Sequence, residues 1–135
     1  VEGEPYSMYY MVENTCVTCH LGENRIHTFL PDDSACLGCH DAIDDPDNNR
    51  SDFDFGGVQT QVTALIAELG ELLEANGLVH TDDEGEVHPV VGLYPAAQAS
   101  ALWNYILIAF EDGSHGVHNP PYTIALLETS IAALK

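Results

Sequence analysis

The sequence has very few basic residues. Only 3 lysines and arginines stand against 22 aspartates and glutamates, which gives a formal net charge of −19 over 135 residues. A chain this acidic repels polyanions, so we do not expect nucleic acid or anionic lipid as partners. A redox partner with a basic docking surface, a bound cation or a high-salt environment would each fit the charge, and the simpler alternative is that the acidity only keeps the protein soluble.

Long apolar runs are also lacking, and large apolar side chains are sparse in the first half of the chain. Without a run of about 20 apolar residues, no membrane span is expected. At 135 residues the chain has the length of one domain. A single domain with so little core in its first half needs another apolar body to fold around.

Cysteine occurs only four times, and all four residues belong to two copies of one motif, CVTCH and CLGCH. C-x-x-C-H is the attachment signature of a c-type haem, in which two thiols bond to the porphyrin and the adjacent histidine ligates the iron. Two copies leave no odd thiol. The sequence therefore predicts two covalently attached haems c, on Cys16, Cys19, His20 and on Cys36, Cys39, His40.

Other interpretations of the cysteines leave the two histidines unexplained. A tetrathiolate zinc site fits the spacing of the two pairs, and disulfides or a redox-active dithiol are further alternatives. Because haem is attached to C-x-x-C-H outside the cytoplasm, the haem interpretation implies export with removal of a targeting segment. The N-terminus, Val1–Pro5, has the character of a processed end. We therefore expect a periplasmic or extracellular protein.

A histidine between the two motifs is a candidate distal ligand. His27 lies on a short connector that glycine and proline keep from forming a long helix. To ligate the iron above His20, the chain would have to pass round the edge of the porphyrin. The second haem, on His40, is therefore the easier target, although a haem of another subunit stays an alternative. Arg25 is a candidate partner for a haem propionate.

The second half of the chain changes to helical spacing. Helices are predicted over Val58–Asn76, with Gly77 as a stop, over Pro95–Asp112, ended by Gly113, and over Pro120–Leu134, with Asn119 as cap. A short hairpin is predicted near 78–94. The broad apolar face of the second helix, which includes Leu102, Trp103, Leu107 and Phe110, is expected to be buried.

The expected fold is mainly α, with two haems packed against three longer helices and little β structure. It forms a single dihaem domain over 1–135. Residues 1–55 are the haem-attachment segment, and residues 56–135 are a helical segment that supplies a distal ligand.

The histidines of the second half differ in context. His118 directly precedes the cap of the third helix, so its backbone is fixed, and it is the second predicted distal ligand, with His115 in reserve. His80 and His88 flank the hairpin turn and are expected to be exposed or structural. Near the N-terminus, Met8 and Met11 are expected to pack rather than ligate.

An acidic stretch before the first long helix carries the start of a calcium-loop pattern. Asp45, Asp47, Asn49 and Ser51 alternate as the first ligands of such a loop do. The turn glycine and the bidentate glutamate of an EF-hand are both missing, because Arg50 and Gly56 stand in their places. An EF-hand is therefore rejected, and a looser calcium site stays an alternative.

The run Asp112-Gly113-Ser114 to Pro120, together with His27-Thr28-Phe29 between two C-x-x-C-H motifs, resembles the C-terminal part of large multihaem cytochromes c. This group includes relatives of the pentahaem nitrite reductases and the octahaem enzymes. The resemblance implies that His118 is the distal ligand of the haem on Cys16 and Cys19. It also implies that the position of His115 is variable, and that His27 can ligate a haem outside its own two-motif segment.

One departure from that group bears on activity. The nitrite reductases use a lysine in place of the motif histidine at their catalytic haem, whereas both motifs here end in histidine and the only lysine is Lys135. The expected function is therefore electron transfer by two closely spaced bis-histidine haems rather than catalysis. The alternatives are a haem enzyme or gas-binding protein with one open iron, and a subunit of a larger relay, homo-oligomer or polymeric cytochrome.

Overall fold

The structure is a computed structural model that describes residues 14, 16–21, 27–31 and 53–135. In these ranges the protein is mainly α-helical, which confirms the predicted class. Its elements, in chain order, are α1 (Cys16–Leu21), α2 (Val58–Ala75), β1 (Val79–Thr81), β2 (Val87–Pro89), α3 (Ala96–Ile106) and α4 (Pro120–Leu134). None of the helices in the described ranges combines the length and the apolarity that a membrane crossing requires.

The helix α2 matches its predicted span and ends for the predicted reason. After the cap residue Asn76 the chain enters Gly77 at φ 72°, in the left-handed region that glycine adopts without strain. At the other end, the backbone amide of Thr60 donates to Oδ1 of Asp54 over 3.1 Å, and its hydroxyl donates to Oδ2 over 2.5 Å. Asp54 thus satisfies a first-turn amide that the helix itself leaves without a partner.

The second predicted helix has the predicted extent but not one geometry. It runs as α-helix through α3, and the next six residues, Leu107–Asp112, form a π-helix that ends at Gly113 with φ 63°. A π-helix is rare and is found disproportionately at functional sites. Nothing in the residue spacing distinguishes this segment from an ordinary α-helix.

The hairpin forms where it is predicted. Strands β1 and β2 pair antiparallel, with His80 opposite His88 and Thr81 opposite Val87. One further ladder bond, from the amide of Asp82 to the carbonyl of Glu86 at 3.0 Å, closes the turn. Val79 is 4% exposed, so this face of the hairpin lies on the core.

The core lies between three helices, with α4 packed against both α2 and α3. Each large side chain that it fully buries stabilises the fold by about 1.5–3 kcal/mol relative to exposure. The fully buried large residues are Val62, Leu69, Leu73, Leu78 and Leu127.

One expectation about packing is wrong, and the cap predicted at Asn119 is confirmed in position but not in its side-chain hydrogen bond. In α3 the buried residues are Ala101 and Tyr105, whereas Trp103 is 70% exposed, and Phe110 in the π-helical segment that follows is 56% exposed. The helix therefore turns a narrower stripe inward than its broad apolar face suggested. Asn119 occupies the N-cap position of α4, but its side chain makes no capping hydrogen bond, and its Oδ1 is buried with no hydrogen-bond partner among the described residues.

Candidate metal centre

Two histidines that are far apart in the sequence meet in space. The ring centroids of His20, on α1, and His118, just before α4, lie 6.1 Å apart, and the ring planes are tilted by 46°. These are the motif histidine of the first C-x-x-C-H and its predicted distal partner. The structure therefore brings together the two residues that the resemblance to multihaem cytochromes c assigns to one iron.

The ring of His20 is held by Phe29. Its Nδ1 lies 2.8 Å from the backbone carbonyl oxygen of Phe29, and the phenyl ring stacks on the imidazole with centroids 4.7 Å apart and planes 12° from parallel. A carbonyl oxygen only accepts hydrogen bonds, so Nδ1 must carry the proton. In the neutral ring, Nε2 then keeps a free lone pair for a metal.

The ring of His118 is held in the same way by a carboxylate. Its Nδ1 lies 2.7 Å from Oδ1 of Asp112, while Oδ2 of Asp112 accepts from the amide of Ser114 at 3.2 Å and from the Ser114 hydroxyl. Partial burial opposes ionisation of Asp112, but the hydrogen bonds from Ser114 and His118 hold its pKa below the ordinary value. An ionised Asp112 accepts the Nδ1 proton and leaves Nε2 of His118 free.

The loop that carries His118, residues Gly113–Asn119, is fastened to the first turns of α2, and we call it the histidine loop. Gln59 Nε2 donates to the Ser114 carbonyl over 3.1 Å, and Thr63 Oγ1 lies 2.9 Å from Nδ1 of His115. Gly116 has φ 93°, and a Cβ there would come within 2.8 Å of Val62. The loop backbone therefore lies directly against the helix, which fixes the position of His118.

The thiols of the first motif lie next to His20 on the same short helix. Cys16 and Cys19 are three residues apart on α1, so they share one face, and neither forms a disulfide. Partial burial, reinforced by the neighbouring Cys16, raises the pKa of the Cys19 thiol. Apolar side chains nearby in sequence are exposed, namely Val17 at 49%, Phe29 at 55% and Leu30 at 72%. This combination of thiols and exposed apolar surface suits a flat, apolar group held covalently.

The spacing of the two rings can be compared with that of an iron ligated from both sides. With a metal–nitrogen bond of about 2.0 Å, and about 1.1 Å from nitrogen to ring centroid, two imidazoles on opposite sides of one metal have centroids roughly 6 Å apart. The observed 6.1 Å agrees with that value. The spacing of the two rings is compatible with one metal ion between them, and His20 and His118 are the residues that would hold it.

The other predicted site residues do not join this pair. His115 is turned to Thr63 on α2, and His27 lies in an exposed turn with Thr28. Other predictions fall outside the described residues and stay predictions, namely those on Arg25, Met8, Met11, the calcium loop and the second motif with Cys36, Cys39 and His40.

Two residues of the site were not found by sequence reasoning. Phe29 offers a backbone carbonyl, which no side-chain pattern reports, from a backbone with φ 59°. Asp112, like Phe29, is one of the residues that carry the resemblance to multihaem cytochromes c, but neither was given a role in the site. A signal for Asp112 exists, since it precedes His118 by six residues across a glycine-containing turn.

Comparisons with known proteins add no family to this picture. No protein-family model matches the chain, and no curated protein or solved structure gives a significant match. Any functional conclusion therefore depends on the motif and on the geometry of the site.

Proposed function

We propose that the chain is an electron-transfer protein that carries two c-type haems. The first is attached to Cys16 and Cys19, with His20 as proximal and His118 as distal ligand. The observation that supports this is the 6.1 Å spacing of the two imidazoles, each with Nδ1 at an acceptor. Proteins commonly orient a ligating histidine through a hydrogen bond from its other nitrogen.

The haem would supply one-electron exchange, and the residues of the chain would set the conditions for it. Two imidazole ligands favour a low potential and little change of geometry between oxidation states. Phe29 and Asp112 fix both rings, so Nε2 of each stays in place. The carboxylate of Asp112 makes His118 a more basic ligand, which further favours the oxidised form.

The second haem, on Cys36, Cys39 and His40, is supported by its motif, and His27 is the distal ligand proposed for it. Both motifs end in histidine, so the catalytic lysine position of the nitrite reductases has no counterpart, and we propose a carrier rather than an enzyme. The charge of −19 favours a redox partner with a basic docking surface. Attachment of haem implies a location in the periplasm or outside the cell.

Mass spectrometry and paramagnetic resonance test the proposal directly. The intact natural protein should carry the mass of two haems, and its ferric spectrum should be low-spin. A mass without haem would refute the proposal, and a protein with four thiolates on zinc would favour the alternative metal site.

Variants of the two loop histidines then test the ligand. His118→Ala should turn one haem high-spin and let its ferrous form bind carbon monoxide rapidly. His115→Ala should leave both haems low-spin. If His115→Ala produced the high-spin haem and His118→Ala did not, the distal ligand would be His115 and the assignment to His118 would be wrong.

A further inference from the structure

The hairpin carries a second set of metal-ligating side chains, far along the chain from the cysteine motifs. Side chains alternate between the two faces of a strand, so His80 and Asp82 share one face of β1 and its turn, and Glu86 and His88 share the same face of β2. Val79 and Val87 face the other way, onto the core. The outer face is therefore made of two imidazoles and two carboxylates.

The cross-strand register places these groups in two facing pairs. His80 lies opposite His88, and the amide of Asp82 bonds to the carbonyl of Glu86. The two imidazole centroids are 5.3 Å apart and the planes are tilted by 31°. Two imidazoles bound to one metal at a tetrahedral angle have centroids about 5 Å apart, given a metal–nitrogen bond of about 2.0 Å. The rings therefore have the spacing of neighbouring ligands on one ion.

The two carboxylates lie beside His88, whereas His80 approaches the group only through its ring, opposite that of His88. The ligand atoms of Asp82, Glu86 and His88 lie within 4.8 Å of one another, and Nε2 of His88 is 2.9 Å from Oδ2 of Asp82. The other oxygen of Asp82 accepts from the amides of Glu84 and Glu86, at 2.9 and 2.8 Å. The carboxylate is thus fixed by the turn, with one oxygen left facing His88.

We infer that the outer face of the hairpin binds one divalent transition-metal ion, of which zinc is the best match, through His80, Asp82, Glu86 and His88. Two neutral imidazoles with two carboxylates form a tetrahedral nitrogen and oxygen set of the kind zinc takes. All four side chains come from a single short hairpin, so the ion joins the two strands across their turn. The strong negative charge of the chain raises the local concentration of cations around this face.

This inference does not depend on the haems, and it departs from the expectation that His80 and His88 are only exposed or structural residues. Zinc bound to free cysteines would give the same binding signal as zinc bound to the hairpin. The test therefore uses the full chain as isolated, haem-loaded where haem is attached, with any unmodified thiol blocked by alkylation. Equilibrium dialysis against zinc, with zinc counted by elemental analysis, should give one tight equivalent per chain.

The decisive variant replaces both histidines at once. His80→Gln with His88→Gln should weaken the tight equivalent by at least about 100-fold, because ligand loss costs more than the 10–100-fold typical of residues that only support a ligand. Asp83→Asn removes one charge from the same turn without touching the four ligands, so it should change the zinc affinity by less than about twofold. Undiminished binding by the double variant would refute the site.

X-ray absorption at the zinc edge covers the case in which the double variant fails to fold. The zinc-loaded natural protein should show four nitrogen or oxygen neighbours at about 2.0 Å and the outer-shell scattering of two imidazoles. Sulfur neighbours, or the absence of imidazole scattering, would overturn the inference. Dialysis that showed only weak binding of several zinc ions would also overturn the inference, because weak binding of many ions is what an acidic surface without a specific site would give.

Discussion

Among the residues that the structure describes, two pairs of histidines lie close together, and they differ in how the chain brings them together. His20 and His118 are joined by tertiary structure, with centroids 6.1 Å apart. His80 and His88 are joined by a turn, with centroids 5.3 Å apart. The wider spacing suits ligands on opposite sides of a metal with a flat group between them, whereas the narrower one suits neighbours around a bare ion. The two proposals therefore depend on different spacings of the same side chain.

The role of the neighbouring carboxylate differs as well. Asp112 bonds to Nδ1 of His118, on the side away from the proposed iron, so it orients the ring. Asp82 bonds to Nε2 of His88, the same nitrogen that would face zinc. The first carboxylate supports a ligand and the second is a ligand itself. The helix α2 connects the two sites, because its first turns hold the histidine loop and its last turn leads into the hairpin.

The largest expected effect comes from the core that both sites share. Leu69→Ala should lower the free energy of unfolding by about 2–5 kcal/mol, because Leu69 is fully buried and its loss leaves a cavity. Urea unfolding, followed separately at haem absorbance and at far-UV dichroism, should show one lowered midpoint for both signals. Leu93→Ala, at a fully exposed position, is the control and should change stability by less than about 0.5 kcal/mol. Separate midpoints would mean that the two sites unfold independently.

A smaller effect is expected when only the histidine loop is pushed away from α2. Gly116→Ala should cost about 2–4 kcal/mol, because it adds a strained positive φ and a clash with Val62. It should also raise the high-spin fraction of the first haem and leave zinc binding unchanged. Gly85→Ala, in the hairpin turn, shares a positive φ of 86° but meets nothing within 4 Å. Equal losses in the two variants would contradict the close approach at Gly116.

Exchanging the two carboxylates for amides should give opposite results. Asp112→Asn should weaken ligation by His118, seen as faster carbon monoxide binding, by about 10–100-fold, while zinc affinity is unchanged. Asp82→Asn should lower zinc affinity and leave the haem spectrum alone. A variant that altered both readouts would show that the two sites are coupled, which contradicts the separate roles of the two carboxylates.

The smallest effect concerns pH and the hydrogen bonds between Asp54 and Thr60 in the first turn of α2. The Thr60 hydroxyl, with help from backbone amides and against slight burial, holds the pKa of Asp54 below its ordinary value. Because the pKa of Asp54 is lower in the folded protein than in the unfolded chain, the ionised group stabilises the fold at a pH above its ordinary pKa of about 3.9. This stabilisation is lost as the pH falls through the pKa of the folded state. At pH 7 the free energy of unfolding of the wild type should exceed that of Asp54→Asn by less than about 1 kcal/mol, because the Asp54 carboxylate is exposed. Urea unfolding at pH 7 and pH 3 should show this difference in stability becoming smaller in acid. A difference that became larger in acid would contradict the stabilising role of the Asp54–Thr60 hydrogen bonds.

Much of the fold could be predicted because the positions of its helices follow from short sequence patterns. Apolar spacing and glycine stops located α2, and proline in the first turn located α4. Candidate residues of the site could be named from the sequence, because C-x-x-C-H is a contiguous motif and His118 lies beside a helix start, but their role as ligands stays a prediction. The hydrogen bond from His20 to the Phe29 carbonyl depends on backbone conformation, and the exposure of Trp103 depends on which neighbours α3 meets. Neither is encoded in residue spacing.

In the π-helical segment Leu107–Asp112, regular α-helical hydrogen bonding is lost over the six residues that end at Asp112. Its wider turn holds one residue more than an α-turn, which rotates everything after it by roughly 100° relative to a regular helix. Deleting a single residue there, such as Ala109, would restore regular helical hydrogen bonding and at the same time swing Asp112 away from His118. The carboxylate that contacts His118 is therefore the last residue of the π-helical segment, and its direction depends on the number of residues before it.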